Sequence, residues 1–339
     1  MRQVRSRYVP ATAVLLVVGG LLGGSAPRLA HGQVYRLAEM NTEQIGALDR
    51  RTTVVLIPGG ILEQHGPYLP SYADGYANER LTADLAAAVA GRPGWAAVIL
   101  PAIPLGSHGA NAIGAKHSFP GTYAVRLTTL RAVFMDLATQ FGEQGFRWIF
   151  VVHGHGGPQN RVLDEAGDYF RDTYGGHMVH LLGLLPETLA ADSVVQAVVP
   201  SAVRDEDGFS VHAGLVESSV VMALRPDLVP AAIAQAPLVT GRDFADLQRL
   251  AARPGWPGYF GAPRRASAEL GRRVVEAESR QYVALALRIL DGLDERRIPR
   301  FAVVRGEQPG PASVARAAAS RDSAEERRQR AWLARRGRQ

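Results

Sequence analysis

The sequence predicts an α/β fold with a mostly parallel central sheet. Short apolar runs rich in β-branched residues recur along the middle of the chain, segments of helical periodicity separate them, and glycine-rich polar clusters follow two of the runs. Strands buried on both faces and joined by helical crossovers produce this alternation.

Residues 53–57 read as the first buried strand and 76–90 as a helix, followed by a second strand at 97–100. Next, Leu130, Val133, Phe134, Leu137, Ala138 and Phe141 recur at one-face helical spacing, with Thr128 placed to cap the helix and Gly145 to end it. Strands at 148–152 and 178–184 follow, with helices at 159–173, 218–224 and 266–294; the last is long enough to cover one face of the sheet. No internal repeat interrupts the pattern.

With 339 residues, 47% hydrophobic and 21% charged, the chain can bury a large core. It contains no cysteine, which excludes disulfides, thiolate ligands and cysteine nucleophiles, so any metal must sit on histidines and carboxylates. The net charge of +6 would suggest a polyanion partner if it were spread over the body. It is not. Residues 1–32 hold four arginines and no acid, 305–339 carry a net +5, and the body between them is mildly acidic at −3.

Arg2, Arg5 and Arg7 precede an uncharged stretch, apolar over 11–22, and Ala30-His31-Gly32 stands ahead of Gln33. These are the three regions of a secretory signal over 1–32. The apolar run of about a dozen residues is short of the ~20 needed to span a bilayer, so the reading favours cleavage, no stable membrane span and a periplasmic or secreted protein; an uncleaved anchor is the alternative. Residues 305–339 are expected to be a basic disordered tail, with a frayed helix as the alternative. No aromatic residue beyond Trp332 would stack on bases there, so nucleic acid is not an expected partner.

The chemistry-bearing residues follow strands, where loops can converge on one crevice. Glu63 and His65 alternate after the first strand, with Asp74 just ahead of the next helix. His153 and His155 alternate after the third among Gly154, Gly156 and Gly157; His212 and Glu217 form a third cluster, Glu217 leading into the 218–224 helix. Glu63, His65, Asp74, His155 and Glu217 are a two-histidine, three-carboxylate set suited to zinc, manganese or iron. Singly, each has a structural explanation: Asp74 could cap a helix and either histidine could be a core residue. Their coincidence at successive strand ends argues for a metal site.

Residues 56–70 (LIPGGILEQHGPYLP) with Asp74, then 117–122 (HSFPGT), 153–157 (HGHGG) and 212–219 (HAGLVESS), resemble in order the motifs of the creatininase (creatinine amidohydrolase) family. The likeness runs from about Leu37 to Asp294, including Gly258-Tyr-Phe-Gly-Ala-Pro263. It implies a three-layer α/β/α sandwich with a dinuclear metal centre: Asp74 bridging two ions, Glu63 and His155 on one, His65 and Glu217 on the other, and His212 transferring protons. The family is often hexameric, so a homo-oligomer is implied too. Creatininase itself has a glutamate where Gly157 stands, so the chain resembles a Gly-Gly branch in which Glu217 completes the second site.

Other departures bear on substrate. His153 stands where asparagine is usual, Pro158 where asparagine follows the glycines, Tyr68 where histidine is common, and Ser218 where threonine is usual. His153 is read as a group behind the ligands or a structural replacement, with an additional ligand as the third option. His117, on the segment that lines the family's cleft, is a candidate substrate contact. His108 has less support and is expected to be exposed; His177 and His180 are expected to be structural. Lys116, the only lysine, is read as a surface or substrate-orienting charge. Ser118 and Ser218 lack a nucleophile-elbow context. The expected activity is hydrolysis of a small amide, cyclic amide or formamide by metal-activated water. A peptidase of the same family and a non-catalytic metal-binding protein are the alternatives.

Overall fold

A computed structural model describes residues 33–306 and 308–338; the expected signal over 1–32 lies outside them. Five parallel strands, β1 (Val34–Arg36), β2 (Thr53–Pro58), β3 (Ala96–Ile99), β4 (Trp148–Val152) and β5 (His177–His180), form a sheet of order β1-β3-β2-β4-β5. The helices are α1 (Thr42–Gly46), α2 (Ala73–Ala90), α3 (Leu127–Glu143), α4 (Gln159–Tyr174), α5 (Ala190–Val198), α6 (Ser201–Asp207), α7 (Leu215–Leu224), α8 (Phe244–Ala252), α9 (Ala268–Leu290), α10 (Phe301–Val304) and α11 (Pro309–Arg335).

Strand alternation builds two cores on opposite faces of this sheet. Val55 and Ile57 of β2 join Ile149 and Val151 of β4 beneath α3 and α4, whereas Val54 and Leu56 join Phe150 and Val152 against α2 and α9. The result is the expected three-layer α/β/α arrangement. On α3, Leu130, Phe134, Ala138 and Phe141 are the buried face, as their spacing predicts. Each such leucine or phenylalanine contributes roughly 1.5–3 kcal/mol by leaving water, which fixes the strand ends that carry the site.

The differences have local causes. β1 was not expected, because its three half-exposed residues form no apolar run. The strand expected at 178–184 ends at His180 and continues as a 3-10 turn, Leu181–Gly183; the leucines are apolar in either conformation. Helix α2 starts at Ala73, which puts Asp74 inside its first turn rather than before it, and α7 starts at Leu215, which does the same for Glu217. Thr128 does not cap α3. The N-cap is Arg126, without a side-chain cap, and the Leu127 N–H donates instead to Asp322 Oδ2 at 2.8 Å.

Asp322 belongs to the segment expected as a disordered tail, with a helix as the alternative; residues Pro309–Arg335 of it form helix α11. Its alanines and arginines favour helix, Pro309 opens it, and Glu326 pairs with Arg330 one turn on. It docks by few apolar atoms, Ala318 being its one buried residue, and by polar contacts to α3 and α8: Asp322, Glu326 to Arg126 at 3.9 Å, and Ser313 accepting from Gln248 at 3.3 Å. Among the described residues no helix is long and apolar enough to cross a membrane.

Candidate metal centre

β2 and β4 are neighbours at the middle of the sheet, but the chain leaves β2 toward α2 on one face and β4 toward α4 on the other. Connections that diverge in this way open a crevice at the strands' carboxyl ends. The loop after β2 carries Glu63 and His65, the loop after β4 carries His155, and the first turns of α2 and α7 bring Asp74 and Glu217. At Gly60 a Cβ would stand 2.9 Å from the Gly75 backbone nitrogen, so glycine lets the β2 loop lie against the turn that presents Asp74.

Three histidines share one arrangement. Each ring has one nitrogen facing a backbone carbonyl: His65 Nδ1 at 2.9 Å from Glu63 O, His155 Nε2 at 3.2 Å from His108 O, and His212 Nε2 at 2.6 Å from Gln64 O. In the neutral ring that a metal ligand requires, donation to a carbonyl fixes the tautomer and leaves the other nitrogen as a lone pair. Those other nitrogens all face carboxylates. His155 Nδ1 lies 3.1 Å from Glu63 Oε2 and 3.0 Å from Asp74 Oδ2. His65 Nε2 lies 3.5 Å from Asp74 Oδ1 and 3.8 Å from Glu217 Oε2, and His212 Nδ1 lies 3.6 Å from Glu63 Oε1 and 3.9 Å from Glu217 Oε2.

Asp74 thus turns one oxygen to His155 and the other to His65. Glu217 is anchored by the Ala213 N–H, which donates to its Oε2 at 2.6 Å. Among the described residues, two groups have donor atoms within 4.8 Å of one another: Glu63, Asp74 and His155, and Glu63, His65 and His212. The second contains His212, expected as a proton carrier, and lacks Glu217.

The electrostatics fit a cation between these groups. Burial pushes the Glu63 carboxyl up, but the charges of His212 and His155 outweigh it and hold it at about 2. Burial likewise opposes ionisation of Asp74, and the hydrogen bond from His155 with the facing charge of His65 overcomes it, leaving the carboxyl well below its usual range. Burial lowers His65, while the adjacent Asp74 carboxylate raises it to about 9; Glu63 and Asp74 raise His155 in the same direction. Glu63 Oε2 and His65 Nε2 are buried without a hydrogen-bond partner. Orphaned donor atoms, buried carboxylates and tautomer-fixed imidazoles together suit divalent zinc, manganese or iron.

His153 lies apart from this group. It is fully buried, with Nε2 2.9 Å from the Leu105 carbonyl, Nδ1 3.2 Å from the Gln159 amide and its ring edge-on to Phe134. Burial, then the charge of His180, pushes its pKa down to about 4, so it is a neutral strut behind the loop. His180 reaches the His153 carbonyl at 3.3 Å and His177 stacks on Trp148 at 4.6 Å, both as structural residues. His117 is exposed; partial burial, Arg321 and His108 hold its pKa below the ordinary value. Contrary to expectation, the His108 side chain is only 9% exposed and faces Asp322. Lys116 donates to the Arg253 carbonyl at 2.7 Å over the Trp256 ring. Ser118 is exposed, and Ser218 Oγ donates to the Ala213 carbonyl at 3.2 Å.

Sequence reasoning missed the groups that hold the ligands. Asn78 donates to the carbonyls of Gly59 at 2.7 Å and Gly154 at 3.1 Å, tying the two loops together, and Asn160 donates to the His155 carbonyl at 3.0 Å. Gln64, between two expected ligands, accepts from His212 Nε2 through its backbone carbonyl at 2.6 Å. Its place in the Glu-Gln-His triplet was the available signal.

A family model for Creatininase, described as creatinine amidohydrolase, matches residues 38–286. The creatinine amidohydrolase of Pseudomonas putida is 26% identical over 227 residues, covering 66% of this chain and 84% of that protein. The mycofactocin precursor peptide peptidase of Mycolicibacterium smegmatis (strain ATCC 700084 / mc(2)155) is 28% identical over 204 residues, 58% of this chain and 68% of that one. Among solved structures, a manganese creatininase is similar in fold, with a TM-score of 0.57 at 22% identity over 76% of this chain and 98% of its own. The family match spans most of the chain, and the protein belongs to the creatininase (creatinine amidohydrolase) family.

Proposed function

We propose that this creatininase-family hydrolase is a two-metal amidohydrolase acting on the C–N bond of a small amide, cyclic amide or formamide. Asp74 would bridge the ions, Glu63 and His155 would hold one, and His65 and Glu217 the other. The observation that carries the reading is the divided orientation of Asp74, one oxygen toward each of two histidines whose free nitrogens point inward. When bound, the metal pair supplies a water acidic enough to give hydroxide near neutral pH and a Lewis acid for the amide carbonyl.

The chain's own residues do the rest. The Gln64 carbonyl holds the His212 ring with Nδ1 toward the centre. From there Nδ1 can hold a proton and pass it to the departing nitrogen. Glu217, 41% exposed in its side chain, leaves the His65 side as the route of approach. No side-chain nucleophile is needed, and the bond Ser218 makes to a carbonyl keeps its hydroxyl structural.

Elemental analysis of reconstituted protein, with turnover on a panel of lactams, formamides and small peptides, tests the proposal. Two ions per chain and turnover of non-peptide amides are expected; far fewer than two ions, unaffected by Asp74→Ala, would sink it. Likeness to a peptide peptidase favours one second reading, hydrolysis at a small peptide's end, and turnover of peptides alone would select it. Export belongs to the same proposal and is tested by locating the protein and sequencing its mature N-terminus, as homo-oligomerisation is by light scattering.

A further inference from the structure

Helix α11 begins at residue 309, beyond the family match that ends at 286, yet it reaches toward the metal centre. Asp322 Oδ2 accepts from the Leu127 N–H at 2.8 Å, and Oδ1 lies 3.4 Å from His108 Nε2. Both side chains of that second contact are nearly buried, at 14% and 9% exposure, so neither is averaged by solvent. His108 has φ +57°, the left-handed region that a residue with a Cβ seldom adopts unless its surroundings hold it there. In this conformation its carbonyl stands 3.2 Å from His155 Nε2, the contact that turns His155 Nδ1 to Glu63 and Asp74.

We propose that Asp322 is a positioning residue for His155: the α11 carboxylate clamps the His108 side chain, holds that residue in its left-handed conformation, and so aims its carbonyl at the ligand ring. The proposal rests on the metal-centre reading above. The helix after the family region is then part of the apparatus that sets metal affinity. A carboxylate on the α3 N-terminus alone would stabilise that helix without any effect at the centre, and this is the competing structural role.

Zinc affinity of the full-length protein, measured by competition with a chromophoric chelator, and the visible spectrum of the cobalt(II)-loaded protein distinguish the two. Asp322→Ala is expected to weaken zinc about tenfold, the low end for residues that orient ligands, and to alter the cobalt bands. Asp322→Asn, nearly the same shape, guards against simple misfolding and is expected to move both readouts in the same direction. Arg328→Ala, which removes only an exposed pair with Glu325 on α11, should change neither. Wild-type affinity and cobalt spectra in Asp322→Asn, whatever its melting temperature, would overturn the proposal and leave α11 a clamp on α3. Wild-type protein that binds no zinc would instead bring down the metal-centre reading, and the clamp's role with it.

Discussion

The two halves of the centre are built differently. Around His155, both carboxylates are enclosed: the Glu63 side chain is 1% exposed and Asp74 15%, and the loop behind them is pinned by His153, Asn78, Asn160 and, through His108, α11. Around His65, Glu217 is 41% exposed and His212 meets the cluster only at 3.6–3.9 Å. A rigid, enclosed donor set with matched charges holds a cation tightly, whereas an open carboxylate leaves room for water and substrate. On the two-metal proposal, the contrast would give retention to the His155 half and exchange and chemistry to the His65 half.

The most damaging change is the one that removes what the halves share. Asp74→Ala should abolish retention of both ions and reduce turnover to background, read by elemental analysis and a substrate assay; full metal content in this variant would break the bridge assignment. His212→Asn should keep both ions and lower kcat by about 10²- to 10⁴-fold, the usual worth of a positioned acid–base group. Loss of an ion instead would make His212 a ligand, as its 4.8 Å grouping with Glu63 and His65 allows. Glu217→Gln should deplete only the open half, leaving close to one ion per chain and a loss of activity that added metal partly restores. Chelation should release the open-half ion first, and the metal-free protein should melt lower; saturation at 100 times the dissociation constant is worth about 2.7 kcal/mol.

The contrast also explains what the sequence made legible. Strand and helix periods follow from burial, so β2, β4 and the apolar face of α3 could be read directly, and acids and histidines at strand ends pointed to the crevice. The family likeness added the bridging and pairing roles. What holds the enclosed half was not legible, because it consists of carbonyls, amides and one distant carboxylate. A backbone carbonyl such as that of His108 leaves no trace in residue type. Asp322 caps Leu127 across 195 residues, and the composition around it is that of a solvated tail, so only the folded chain shows α11 docked. Thr128 looked like the α3 cap for the same reason: local spacing was the one signal available, and the cap comes from elsewhere.

The smallest expected effect lies just behind the open half. Glu278 on α9 is partly buried, and burial, then the charges of Asp192 on α5 and Glu217 on α7, push its carboxyl up to about 7; Tyr282, one turn along α9, is raised by its burial and then by the Glu278 charge. An acid whose folded pKa exceeds its unfolded value favours the folded state fully below about 4.5, and that contribution is lost as pH rises through about 7. Between those limits the folded chain binds more protons than the unfolded one. Metal-free wild-type protein should therefore lose stability over this window relative to Glu278→Gln, by a difference on the order of 2 kcal/mol at pH 8, measured by urea unfolding at several pH values. Loading the centre should shrink that difference, since a cation on Glu217 removes one of the charges that oppose ionisation of Glu278. Equal curves for the two proteins would remove Glu278 from the electrostatics of the site. A difference that metal leaves unchanged would place the effect in burial and Asp192 alone, and would deny the open half its influence on α9.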